Sequence, residues 1–417
     1  MGRVKKNRPR DSSTIQLAPM MNAEASSRHL SFQFFSAEPF RIFFPAGTLA
    51  GIVGVALWPL YFTGLTQFYP GLGHARIMAC GFFGGFIFGF LGTAMPRMLD
   101  AKPLRTPEVF PLLLIHAAMV LSFALGRIQW GDALFLALLV GFVSPLLLRA
   151  WQSKVLPPPG FVLVALALIC VAAGTVLALV ADHFELETFW INLQRLLSSQ
   201  AFVLLPILGI GPFILPRFFG MPASHDLPDS PAATRAWRNQ ALIALATGLL
   251  IIATFFLEAK NSFHTAYALR FAAVLGYLAL EIPFHRGPGA TTAPAVAIYI
   301  ALGAMLAGFL AVSIFPAHRV SLLHLTLVGG FAVITFVVAT RVVFGHSGNL
   351  ARLTARNRWL YVAIGLMLFG MTTRISADFW PKVLVSHYIY GALVWIAGVV
   401  LWAVFVLPKV LVADTEN

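Results

Sequence analysis

The sequence predicts an all-α polytopic membrane protein of about twelve transmembrane helices, arranged as three pseudo-equivalent four-helix units. Three observations predict it. Of 417 residues, 59% are hydrophobic and only 11% are charged, against roughly a quarter charged in a soluble domain. Apolar runs of about twenty residues, enough to cross a hydrocarbon core of about 30 Å, recur along the chain. One such run, closed by an arginine, returns twice more at nearly constant spacing. The mean hydropathy of +0.83 agrees, and the sequence lacks the alternating segments of roughly ten residues that mark a membrane barrel.

Residues 1–38 are mostly polar and basic, and the first thirty hold no apolar core. They read as a disordered cytoplasmic tail rather than a cleaved signal. Twelve spans follow, at about 42–64, 73–97, 108–126, 131–150, 160–181 and 198–219, then 239–257, 264–284, 292–315, 320–344, 358–377 and 384–407. They group as units at 39–150, 151–288 and 289–410, with 411–417 as a short cytoplasmic tail. An even number of spans puts both termini on one side. If that side is the cytoplasm, it holds 21 of the lysines and arginines against seven outside, with Arg270 inside a span. That bias sets both termini in the cytoplasm. It also accounts for the net charge of +13 without nucleic acid, leaving the lipid bilayer as the first partner.

The repeat is anchored on arginines. Span two ends FLGTAMPRML, span six GIGPFILPRFF and span ten TFVVATRVVF, so Arg97, Arg217 and Arg341 align. Twenty-three residues before each stand His74, Gln194 and His318; seventeen before stand Cys80, Gln200 and His324. This arrangement resembles the core subunit of haem-copper oxidases, whose twelve helices form three arcs with metal ligands on the second, sixth and tenth. Here the sixth span offers only glutamines and the seventh has no histidine, so an oxidase-type copper site is not expected.

The topology sorts the histidines. His74, His264, His318, His324 and His387 fall at outer ends of spans two, eight, ten and twelve. His29, His225, His285 and His346 fall on the cytoplasmic side, His183 in an outer loop and His116 inside span three. A haem needs two neutral imidazoles from separate rigid elements, plus cations for its propionates. His74 and His324 are the first candidates, His387 the third, and Arg76 and Arg319 suit the propionates. The competing reading of each histidine is an interfacial residue that bonds headgroups or water. Gly81, Gly85 and Gly89, with Gly92 nearby, form a small-residue ridge for close helix packing or for a flat macrocycle. His116 and Arg270 are expected to bond other helices, and Met367 and Met371 to fill the core. Cys80 and Cys170 both lie in apolar segments, so no disulfide framework is expected.

The stretch HLTLVGGFAVITFVVATRVVFGHSGNL (324–350) resembles the signature of the NnrS family. Its marks are a histidine-led helix, a Thr-Arg near its end, then Gly-His-Ser/Thr-Gly. Span two resembles that family's His-Ala-His-Glu-Met run followed by Gly-Phe, and SHYIYGALVWIAGVVLWAVFVLPKVL its last helix. The resemblance implies a bacterial inner-membrane protein of a haem- and copper-containing family, linked to nitric oxide, nitrosative stress and denitrification. It places His74, His324 and His346 at metal-binding histidine positions. This chain departs from the pattern at His74-Ala75-Arg76-Ile77-Met78, where the second histidine and the glutamate are replaced. Haem of the b type therefore stays expected, whereas the case for copper weakens. His346 has a second reading, as the cap of a helix that ends where Gly345 or Gly348 takes positive φ. Nitric oxide and a respiratory or denitrification complex are the expected partners. Two alternatives stand beside this function: a transporter, suggested by Pro206, Pro212 and Pro216 in span six, or a non-catalytic assembly partner of a respiratory complex.

Overall fold

A computed structural model of the chain describes residues 31–181, 183–225, 232–282, 292–354 and 357–413. The tail at 1–30, His29 and His285 lie outside the described residues. Twelve helices are long and apolar enough to cross a membrane. The first six are Phe40–Phe62, Gly71–Met98, Thr106–Ala124, Ile128–Gln152, Phe161–Ala181 and Thr188–Phe219. The others are Arg235–Ala259, Phe263–Glu281, Ala293–Ile314, Pro316–Gly345, Arg358–Ser376 and Pro381–Leu411. No strand occurs among the described residues.

The observed ends fall within four residues of the expected ones, except that span six starts at Thr188 instead of about 198. Gln194 and Ser198 make its first turns look like a loop in sequence, yet both are buried. They face a guanidinium from another span, described below, so helix continues where hydropathy falls.

Spans two, six and ten form the centre. Their apolar windows are 78%, 72% and 61% buried, whereas no other span exceeds 56%. Each of the three contains one π-helical stretch: Ile77–Phe83, Leu197–Ala201 and Leu325–Ala332. A π turn inserts an extra residue and re-aims the side chains beyond it, and such turns concentrate at functional sites. The ladder is opened there, and His116 of span three reaches into it, with its Nε2–H donating to Gly81 O at 2.9 Å.

The three central spans also share a register. A cavity of about 80 Å³ between spans one, two, six and ten is lined from span two by Phe83, Phe86, Ile87 and Phe90. Val203, Pro206, Ile207 and Ile210 line it from span six. Both sets lie 14, 11, 10 and 7 residues before their closing arginines, Arg97 and Arg217. Ile334, at seven residues before Arg341, takes the same place on span ten.

The glycine ridge of span two is filled by span one. A Cβ on Gly85 would stand 2.7 Å from the Gly47 Cα, so the two backbones touch there. The ridge therefore serves helix packing. Span six stays helical through Pro206 and Pro212, then tightens into a 3₁₀ turn at Leu215–Phe219 that ends on Gly220, φ +69°. Pro216 has no N–H to give the Pro212 carbonyl. The returning loop supplies the donors instead: Ser224 N at 2.9 Å and His225 N at 3.4 Å. His225 is thereby buried, with its Nε2 2.8 Å from Glu281 Oε2 of span eight.

The first and last spans meet. Arg41 Nη1 donates to the carbonyls of Val410 at 2.7 Å and Val412 at 2.8 Å. Both described chain ends thus lie on one face, called the terminal face below.

Candidate functional site

His74 enters span two one turn from its start, on the face opposite the chain ends. Its Nδ1 lies 2.9 Å from Gly54 O of span one. A carbonyl oxygen only accepts, so Nδ1 carries the proton and Nε2 keeps a lone pair. His324 repeats this on span ten: Nδ1 lies 2.8 Å from Val320 O and 3.2 Å from Ser321 O. Neither Nε2 has a hydrogen-bond partner among the described residues. An imidazole whose Nδ1–H is fixed by a carbonyl, with Nε2 open, is the usual form of a metal-ligating histidine. Both imidazoles are half-buried, and the positive charge of Arg374 acts on each of them.

Arg374, in the last turn of span eleven, is the residue that the sequence reading passed over. Its guanidinium carbon lies 3.9 Å from the Tyr388 ring centre. Its Nη1 is 3.3 Å from Ser321 Oγ and 3.8 Å from Asp378 Oδ1. Tyr388 packs on Trp58 at 4.8 Å between ring centres, and Trp58 on His74 at 5.8 Å. Spans one, two, ten, eleven and twelve therefore contribute to one cluster of two open imidazoles, aromatic rings and a cation. The only sequence signal was an arginine at the end of an apolar run, read there as loop charge.

The other nominated residues fall elsewhere. Arg76, expected beside propionates, is buried and already engaged. Its Nη1 donates to Ser198 Oγ at 2.7 Å, and its Nη2 to Asp132 at 3.1 Å and Gln194 at 3.0 Å. Arg319 is exposed and stacks on Phe263 of span eight, 4.6 Å from the ring centre. His387 meets the neighbouring Ser386 Oγ at 3.3 Å, and no contact joins it to His74 or His324 among the described residues. His264 and His318 are likewise spent, on Ser313 O at 2.7 Å and against the Phe379 ring at 4.4 Å.

His346 lies across the protein on the terminal face. Its Nδ1 is 2.7 Å from Glu38 Oε1 and its Nε2 3.4 Å from Arg97 Nη1. With both ring nitrogens engaged, it has no lone pair to give a metal; it closes span ten, and Gly348 beyond it takes φ +65°. Glu38 also pairs with Arg97 and, at 2.7 Å, with Arg41 Nε. Burial alone would raise the Glu38 carboxyl, but His346, Arg41 and Arg97 outweigh it and hold it at about 2.

Span six directs its glutamines at buried arginines. Gln194 serves Arg76, and Gln200 accepts from Arg270 Nη1 at 2.8 Å. Arg270 also donates to Glu258 at 2.8 Å and Thr254 at 2.9 Å, while Tyr267 donates to Glu258 at 2.7 Å. Among the described residues, no group of three or more His, Cys, Asp or Glu side chains is gathered to hold a metal ion.

No curated protein matches the chain. A chain from the cryo-EM structure of a heme-copper terminal oxidase dimer is similar in fold, with a TM-score of 0.54 at 14% identity. The alignment covers 93% of this chain and 84% of that one. The family model described as NnrS protein matches residues 34–413, nearly the whole sequence. The chain therefore belongs to the NnrS family.

Proposed function

We propose that this NnrS-family membrane protein is a haem-binding redox protein, with a b-type haem held by His74 and His324. The observation that carries the reading is the matched pair of imidazoles. They come from two of the three central helices, both have Nδ1 fixed on a backbone carbonyl, and both leave Nε2 open. The residues fit the group: two neutral nitrogen ligands on rigid helices, with a nearby cation for its acidic groups. Span two's π turn starts three residues after His74, and span ten's directly after His324. Each imidazole is thus held at a point where a helix changes its aim.

When bound, such a haem supplies one-electron chemistry. This chain's own residues bind and orient it. Gly54 O, Val320 O and Ser321 O fix the imidazole tautomers, and Trp58 and Tyr388 wall the site with rings. Arg374 offers the counter-charge for carboxylates. Non-covalent binding agrees with the positions of the two cysteines, both buried and far apart in sequence. The biological setting in this reading is a nitric oxide or nitrosative stress response in a bacterial inner membrane, with the terminal face in the cytoplasm. The 21-to-seven bias of basic residues supports that orientation.

The test is the haem content of purified H74A, H324A and the double variant, compared with the parent protein. Loss of haem from the double variant, in protein that still elutes as one species, is the expected result. Undiminished haem there overturns the assignment.

A further inference from the structure

The cavity among the central spans begins where their helices change aim. On span two its lining starts at Phe83, the last residue of the π stretch. On spans six and ten it starts at Val203 and Ile334, two residues after theirs. A π turn re-aims the side chains that follow it, and here the re-aimed side chains of all three spans face one void. The walls are stiff. Phe86 stacks on Phe44 at 4.9 Å between ring centres, and Phe83 meets Phe331 edge to face at 6.3 Å. Val203, Ile207 and Ile210 are β-branched and hold few rotamers. These side chains have little freedom to swing in and close the gap. Such a gap forfeits dispersion contacts along its lining, and native interiors hold few of them.

Size and chemistry narrow the occupant. Pockets for drug-sized ligands measure about 300–1,000 Å³, so a cavity of about 80 Å³ excludes them and any macrocycle. Water would fit by volume, but a buried water needs about two to four polar partners. Among the described residues that line the cavity, only Thr335 has a polar side chain. An acyl chain could bury only a few methylenes there, and ordering the rest of the chain would oppose that gain. What fits is a compact, uncharged, apolar molecule. Such molecules concentrate in the hydrocarbon around these spans, and dry apolar cavities in proteins do take xenon.

We infer that this cavity is a binding site for a small apolar gas of diatomic size, drawn from the bilayer. Dioxygen and nitric oxide share the chemistry it selects. Phe331, which packs on Phe83 of the lining, lies seven residues after His324, about 10 Å along the span. Under the haem-binding proposal above, the gas is therefore held in the same bundle as the redox centre. Gas uptake reports the cavity alone, so it succeeds or fails independently of the haem assignment.

The experiment is a crystal structure of the full chain under xenon pressure, compared with the unpressurised crystal. One xenon peak is expected between Phe86, Ile210 and Ile334. A339F fills the space and abolishes the peak, I210A widens the space and keeps it, and L148F, on the exposed face of span four, changes nothing. Dioxygen is then tested directly, because it broadens the NMR signals of methyl groups that it touches. It broadens Ile210 and Ile334 more than the fully buried Ile298. An empty cavity under xenon, a peak unchanged in A339F, or equal broadening of the three isoleucines overturns the proposal. So does continuous acyl-chain density or ordered water in the unpressurised cavity.

Discussion

Arg374 lies over the ring of Tyr388, 3.9 Å from its centre, and so joins the last two spans beside both open imidazoles. A guanidinium on an aromatic face is held in place without spending all its donors. Nη1 already uses Ser321, which keeps the charge near His324 of the same helix turn.

Arg374 therefore has a measurable consequence for the proposed haem. A charge-assisted hydrogen bond contributes about 1.5–3 kcal/mol, so R374Q should release haem about tenfold faster or more. Transfer of haem to apomyoglobin gives the rate. R319Q, whose side chain stacks on Phe263 away from the imidazoles, should leave the rate unchanged. Equal effects of the two variants would remove Arg374 from the site.

Arg76 is a structural cation, and its loss should be felt in stability before cofactor content. Its guanidinium joins spans two, four and six through Asp132, Gln194 and Ser198. Taking one partner from a buried ion pair costs about 3–5 kcal/mol, because the other charge stays buried. R76L should lower the unfolding midpoint in detergent strongly, and R76L/D132L should recover much of it. A double variant no better than R76L would mean that the pair is not the dominant contact.

Glu38 predicts an acid-side loss of stability. Its carboxyl is held at about 2, against an ordinary 4.5, by His346, Arg41 and Arg97 acting over the opposing effect of burial. A depressed carboxyl contributes stability that is full above pH 4.5 and falls away as pH drops toward 2, by about 3 kcal/mol at most. Between pH 6 and pH 3 the parent should lose more stability than E38Q. Parallel pH profiles for the two would contradict this account of the cluster.

The sequence made much of the fold legible because hydrocarbon thickness is a strong constraint on apolar runs. All twelve spans were readable, and positions at equal distances before Arg97 and Arg217 line one cavity in the structure. The early start of span six was hidden because Gln194 and Ser198 look like loop residues unless Arg76 is known to face them. The π turns were hidden as well, since one inserted residue leaves hydropathy unchanged. For the site, the structure gives His74 and His324 the same open-nitrogen form. Arg76 and Arg319 were nominated on depth alone, and depth does not reveal Asp132, 56 residues onward in sequence, or Phe263. Arg374 was missed because its role depends on Tyr388 and Ser321, contacts that only packing creates. His116 and Arg270 were readable as helix ties, since a polar group inside a span needs a buried partner.

The central claim is that His74 and His324 together hold a haem. Visible spectra of the detergent-purified protein, oxidised and dithionite-reduced, test it most directly when paired with a pyridine haemochrome assay. The account predicts a b-type haemochrome and sharp α and β bands on reduction, as two imidazole ligands produce, with both bands lost in H74A/H324A. A protein that stays colourless when expressed with ample haem, or a sharp reduced spectrum that survives in H74A/H324A, would contradict it.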